Sequence, residues 1–189
     1  MNFLNAISKI KHLYRMLFMK YQTNNKFSRS IAKAREILED NGMDMPPIPV
    51  EEIIENYSLQ LQFIDLKEKS HEISGLYDSH SQIIYVNVHD TPARQRFTIA
   101  HEFGHALLHQ KQLKTNPNLG IFYRRSLKDK VFDTLEEQEA NRFAAYLLVP
   151  ENIIRKIYPT CSSSTILAKI FNVSRQVIDF HIRNLGLQR

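Results

Sequence analysis

The sequence predicts an α+β fold, mainly helical with a small antiparallel sheet, on three observations. Stretches such as "SRSIAKAREILEDNG", "RFTIAHEFGHALLHQ" and "TLEEQEANRFAAYLLVP" carry apolar residues at helical spacing. Between the first two lie short apolar runs around turn formers, "LQLQFIDL" and "EISGLYDSHSQIIYVNV". Helices set around so few strands leave room for one small sheet, and no internal repeat suggests another architecture.

The first 27 residues form a separate, basic and amphipathic extension. Leu4, Ile7, Ile10, Tyr14, Leu17 and Tyr21 keep helical spacing, while Lys9, Lys11, Arg15 and Lys20 interrupt every apolar run. A secretory signal needs an unbroken apolar core of roughly 7–15 residues and a membrane span about 20. The extension is therefore expected to dock on the domain or on a partner, in preference to the alternative of lying on a membrane surface. It also explains the net charge of +5. Residues 1–35 hold eight basic side chains and no acid; removing them from 25 leaves 17 against 20 acids, so the remainder is mildly acidic. The one cysteine, Cys161, excludes an internal disulfide and fits the cytoplasm.

Residues 28–158 read as the main domain. Ser28 or Ser30 can cap a helix carrying Ile31, Ala34 and Leu38, which Asn41-Gly42 stops. After the Pro-rich "MDMPPIPV", a short helix over "PVEEIIENYS" leads to a strand with Leu59, Leu61 and Phe63 alternating. A hairpin turning at Asp78 to Ser81 follows. Asp90 or Thr91 can cap the next helix, with Pro92 at its first position. Gly104 inside that helix implies that something approaches the face closely. Residues 111–131 are less ordered in pattern, and a further helix runs from about Thr134 to Val149.

Residues 159–189 resemble a helix-turn-helix. Ile166, Leu167 and Ile170 mark one helix, Asn172 the turn, Ser174 a cap, and Val177, Ile178 and Ile182 the second helix. In a DNA-binding version Arg175, Gln176 and Asp179 would read bases. Four basic residues (Lys169, Arg175, Arg183, Arg189) are few for phosphate contact, so direct DNA binding is not favoured.

The chemistry concentrates in "AHEFGHALLH". His101 and His105 are four apart and share one helix face, so both imidazoles can converge on one ion. Glu102 lies about 100° round the helix, placed to take a proton from a water on that ion. His109 is two turns from His101, about 12 Å along the axis, too far to join the same ion. It is expected to pack or to hydrogen-bond near the cleft. The longer HExxHxxGxxH pattern is excluded because Leu108 and Lys111 stand at its later positions. A third ligand must come from elsewhere, and Glu136, Glu137 and Glu139 crowd the entrance of the following helix. Glu137 is favoured because Asn141, four residues on, shares its face and could orient a ligand histidine. Thr134 and Glu137 also fit a capping box, a purely structural use of the same carboxylate.

"RQRFTIAHEFGHALLH" with "EQEANRFAAYLLVP" resembles the ImmA/IrrE-type metallopeptidases, and looser similarity through Pro47 to Val50, Gly75 and "IIYVN" extends it to about residues 30–187. The resemblance implies a gluzincin-like fold, metal ligands His101, His105 and Glu137, and Glu102 as general base. It also implies cleavage of a helix-turn-helix transcriptional repressor governing a mobile element or stress genes. Zinc is the expected cofactor, and manganese or iron(II) also suits two imidazoles and a carboxylate. Tyr123, His109, Tyr146 and Arg142 are unranked candidates to donate to a developing oxyanion. The strand "IIYVNV" is either an edge for an extended substrate or an internal strand. The rival function is a DNA-binding regulator with a structural or sensory metal site. Glu102 separates the two, because a closed structural site needs no carboxylate beside an open coordination position.

Overall fold

The computed structural model describes residues 28–67, 73–110 and 134–188. The N-terminal extension and residues 111–133, Tyr123 among them, lie outside the described residues. Helix α1 (Ser28–Asp40) buries Ala34, Ile37 and Leu38. It stops where the Asn41 side-chain amide donates back to the Ile37 carbonyl (2.8 Å) and Gly42 adopts a φ of 63°. Helix α2 (Val50–Glu55) follows the proline connector.

The sheet corrects one expectation. Strands β1 (Gln60–Ile64), β2 (Gly75–Asp78) and β3 (Ile83–Asn87) lie in the order β1-β3-β2. β2 and β3 form the expected antiparallel hairpin, whose turn is held by the Asp78 carboxylate accepting from the His80 amide (2.8 Å) and the Ser81 hydroxyl (2.6 Å). β1 pairs with the other side of β3 and runs parallel to it, so the sheet is mixed rather than antiparallel. The chain passes from one edge of the sheet to the other between β1 and β2, an arrangement that a local turn signal does not encode. "IIYVN" is thus the central strand, and β1 and β2 are its flanks. Phe63 on β1 stays half exposed although Leu59 is buried, so alternation marked the strand without fixing its inner face.

Helix α3 (Pro92–Leu108) starts after Thr91 with Pro92 in the first position. β2 crosses it at Gly75, where a Cβ would lie 2.4 Å from Thr98 Cγ2 and 2.5 Å from the Tyr85 carbonyl oxygen. At Gly104 a Cβ would meet Phe143 Cδ1 at 3.0 Å and Ala140 Cα at 3.3 Å, the close approach that the mid-helix glycine implied. The helix making that approach is α4 (Leu135–Leu148). Arg96, buried on α3, donates to the Ile48 and Asn172 carbonyls and to Glu51, tying three segments to one guanidinium. Arg29 of α1 donates to the Leu108 carbonyl (3.0 Å), placing positive charge at the C-terminal end of α3.

Past Pro150 comes α5 (Glu151–Ile157), a short helix beyond the expected elements, with Glu151 at its start and Arg155 and Lys156 at its end. The helix-turn-helix is present as α6 (Ser164–Phe171) and α7 (Arg175–Asn184). Asn172 takes the left-handed cap, φ 51°, and the Ser174 hydroxyl accepts from the Val177 amide at 3.4 Å. Leu167, Phe171 and Ile178 join the same apolar cluster as Ile37, Ile54, Val86, Phe103 and Leu147. Among the described residues no helix is long and apolar enough to cross a membrane.

Candidate metal centre

Two facing helices build the centre. α3 presents His101 and His105 one turn apart, and α4 enters opposite them with Glu137 in its first turn. The Nε2 atoms of the two histidines are 3.1 Å apart. Glu137 Oε2 lies 3.3 Å from His101 Nε2, and Oε1 lies 3.2 Å from His105 Nε2. Donors on a tetrahedral zinc with bonds of about 2.0–2.1 Å stand about 3.3 Å apart, so these separations are of the size such an ion needs. Both histidines are buried, which in an apolar setting demands a partner for each ring nitrogen.

Those partners are present. His101 Nδ1 lies 3.1 Å from Asn141 Oδ1, so an Nδ1–H donates to the amide oxygen and leaves Nε2 free as a ligand. His105 Nδ1 lies 3.0 Å from His109 Nδ1, and His109 Nε2 lies 3.0 Å from Glu139 Oε2. With His105 Nε2 turned to a cation, one tautomer assignment satisfies this chain: His105 Nδ1–H donates to His109 Nδ1, and His109 Nε2–H donates to Glu139. His109 therefore hydrogen-bonds behind the centre rather than binding in it. Glu139, an alternative ligand at the sequence level, serves His109.

Glu137 does both things that the sequence left open. Its backbone amide donates to the Thr134 hydroxyl at 3.3 Å, while its carboxylate faces the histidines. The cap uses main chain and the centre uses side chain. Burial alone would raise the Glu137 pKa, but the hydrogen bonds and charge of His101 and His105 outweigh it and hold the carboxyl well below its ordinary range. Burial lowers the His105 pKa, against the pull of Glu137.

Glu102 behaves in the opposite way. It is fully buried, and burial followed by the negative charge of Glu137 raises its pKa well above the ordinary value. The Tyr77 amide of β2 donates to the carboxylate, which partly offsets the rise. Its Oε2 has no hydrogen-bond partner among the described residues. A buried carboxylate oxygen without a partner is costly, and a water beside a metal would satisfy it. Of the candidate oxyanion donors, Tyr146 and Arg142 pair with each other, and Arg142 also stacks on Phe180 at 5.0 Å.

Two buried imidazoles, a carboxylate from a second helix and an acid held beside them define the class of a metal-dependent hydrolase. The comparisons then specify it: residues 54–183 match the peptidase family described as the IrrE N-terminal-like domain, and the chain belongs to that family. The metallopeptidase ImmA of Bacillus subtilis is 29% identical over 125 residues, spanning 64% of this chain and 69% of ImmA. The radiation response metalloprotease IrrE of Deinococcus deserti is 28% identical over 148 residues, spanning 76% of this chain and 50% of that protein. Among solved structures, a Mycobacterium tuberculosis transcriptional regulator superposes with a TM-score of 0.59 at 18% identity, covering 84% of this chain and 47% of that one. That last likeness is one of fold.

Proposed function

We propose that the protein is a zinc-dependent endopeptidase of gluzincin-like build, acting in the cytoplasm on a helix-turn-helix transcriptional repressor of a mobile element or of stress genes. The observation that carries the reading is the His101–His105–Glu137 cluster with Glu102 beside it, whose Oε2 has no hydrogen-bond partner among the described residues. Manganese or iron(II) fits the same donors.

His101, His105 and Glu137 would hold the ion, and when bound it would supply Lewis acidity toward the scissile carbonyl and acidify a water. Glu102 takes the proton of that water on Oε2 and returns it to the leaving amide nitrogen. Asn141 and the His109–Glu139 pair keep the two ligand imidazoles in the tautomer and orientation that binding needs. Tyr77 fixes Glu102 from the edge strand.

The rival reading, a DNA-binding regulator, leaves Glu102 without a purpose. The test is incubation of the zinc-loaded chain with the helix-turn-helix protein encoded beside it, followed by mass spectrometry. Discrete fragments that Glu102→Gln does not produce are expected. An intact target together with salt-dependent binding of this chain to a defined operator would favour the regulator.

A further inference from the structure

Two hollows lie side by side along α1. One, of about 550 Å³, opens at the start of the helix, between Ile31 and Ala32 on one side and Leu185 at the end of α7 on the other. The second, of about 680 Å³, runs on past the helix end over Leu38, Glu39, Met43 and Asp44. They share Arg35, Tyr146, Glu151 and Arg155, so together they form one furrow that follows α1 from its first turn to beyond its last. None of the lining residues belongs to the metal centre.

The furrow is apolar along its walls and acidic at its far end. At its waist Arg35 and Arg155 are both paired with Glu151. Glu39 and Asp44, by contrast, have no ion pair among the described residues. The N-terminal extension joins the domain at Ser28, which is itself a wall residue of the furrow. It carries five basic side chains and no acid, so its charge is opposite to that of the far end.

The lengths also match. At about 1.5 Å per residue, a helical stripe over residues 4–21 spans about 27 Å, against about 20 Å for α1 and the further reach of the furrow to Asp44. Between them "QTNNKF", residues 22–27, has the length of an ordinary helix–helix connection, with Asn24-Asn25 suited to a turn. A chain reversing there runs antiparallel to α1. Tyr21 and Leu17 then come over Ile31 and Ala32, and Lys9 and Lys11 arrive at the acidic end. An anionic lipid surface would also accept the apolar stripe, but it repels the mildly acidic remainder of the chain.

We propose that residues 4–21 seat their apolar stripe in this furrow of the same chain, antiparallel to α1, with Lys9 and Lys11 against Glu39 and Asp44. The seat is a helix-in-groove contact made in cis, and it is independent of the peptidase reading.

The test is zero-length carbodiimide coupling of the full chain, which joins a lysine to a carboxylate only where the two touch, followed by mass spectrometry. Links from Lys9 or Lys11 to Glu39 or Asp44 are expected. In an equal mixture of ¹⁵N-labelled and unlabelled protein they should join residues of one isotope only. Ile10→Ser with Leu17→Ser on the extension, or Ala32→Arg on the exposed side of α1, should cut their yield about tenfold or more, because the first loses apolar burial and the second blocks the seat with like charge. Cooperative thermal unfolding of each variant shows that the domain remains folded. Vesicles of phosphatidylcholine with about 30% phosphatidylserine should leave the links intact. Mixed-isotope links would assign the furrow to a second copy, and links lost as the protein floats with the vesicles would assign the extension to lipid. Either result overturns the proposal, as does coupling to other carboxylates or a yield that survives both sets of substitutions.

Discussion

His101 and His105 on α3, His109 at its C-terminal cap and His181 on α7 are all buried, yet they are satisfied in different ways. His101, His105 and His109 face one another, two carboxylates and an amide, so that each ring has a partner on both sides. His181 donates from Nε2 to the Ala145 carbonyl (2.8 Å), and its Nδ1 has no hydrogen-bond partner among the described residues. It packs against Tyr146 and is held neutral, its pKa depressed to about 4 chiefly by burial. Burial of a histidine therefore says little about metal. Convergence of Nε2 atoms on a carboxylate brought from another helix is the informative feature.

The largest effects should come from breaking the convergent cluster. Glu137→Ala or His105→Ala is expected to lower zinc affinity by at least about 100-fold and to abolish cleavage, measured by equilibrium dialysis and fragment analysis. His181→Asn, by contrast, should keep its zinc. Glu102→Gln should hold zinc normally while cleavage falls by about 10²–10⁴-fold, the usual share of a general base. A Glu102→Gln protein with full activity would remove the base from the mechanism.

A smaller loss is expected behind the ligands. His109→Leu deprives His105 Nδ1 of its acceptor and should weaken zinc binding by about 10–100-fold. His109→Asn places an amide oxygen near the Nδ1 position and should recover much of that loss, an outcome that simple packing damage would not give. Equal behaviour of the two variants would assign His109 to packing alone.

The smallest effect belongs to His181 and to pH. Its folded pKa lies below the ordinary value of 6.5, so the unfolded chain takes up the proton first as pH falls. Its contribution to stability is complete above pH 6.5 and is lost between 6.5 and about 4, with about 1 kcal/mol gone by pH 5.5. Urea titrations of zinc-loaded protein at pH 7.5 and 5.5 should show this difference, and His181→Asn should reduce it by that amount.

The parts of the molecule that were legible in the sequence are those whose signal is local. Pro92, the apolar stripe and HExxH lie in one continuous helix, so His101, Glu102 and His105 could be placed on it by counting residues. The Asn41-Gly42 stop, the Asp78 turn and the Ser174 cap were readable for the same reason. Glu137 was harder, because one residue satisfies both a capping pattern and a ligand pattern, and backbone and side chain turn out to divide the tasks. The parallel placement of β1 was not legible, since alternation in Leu59, Leu61 and Phe63 names no pairing partner. The His109–Glu139 bond joins residues 30 apart on two helices, and the furrow along α1 draws its walls from several helices, so neither has a contiguous pattern to find.

X-ray absorption at the zinc edge of the loaded full-length chain tests the central claim most directly. One tightly held zinc is expected, with two imidazole nitrogens at about 2.0–2.1 Å and the remaining ligands oxygen, losing one imidazole in His105→Ala and none in His181→Asn. A spectrum with three or more imidazoles, or one that Glu137→Ala leaves unchanged, would contradict it.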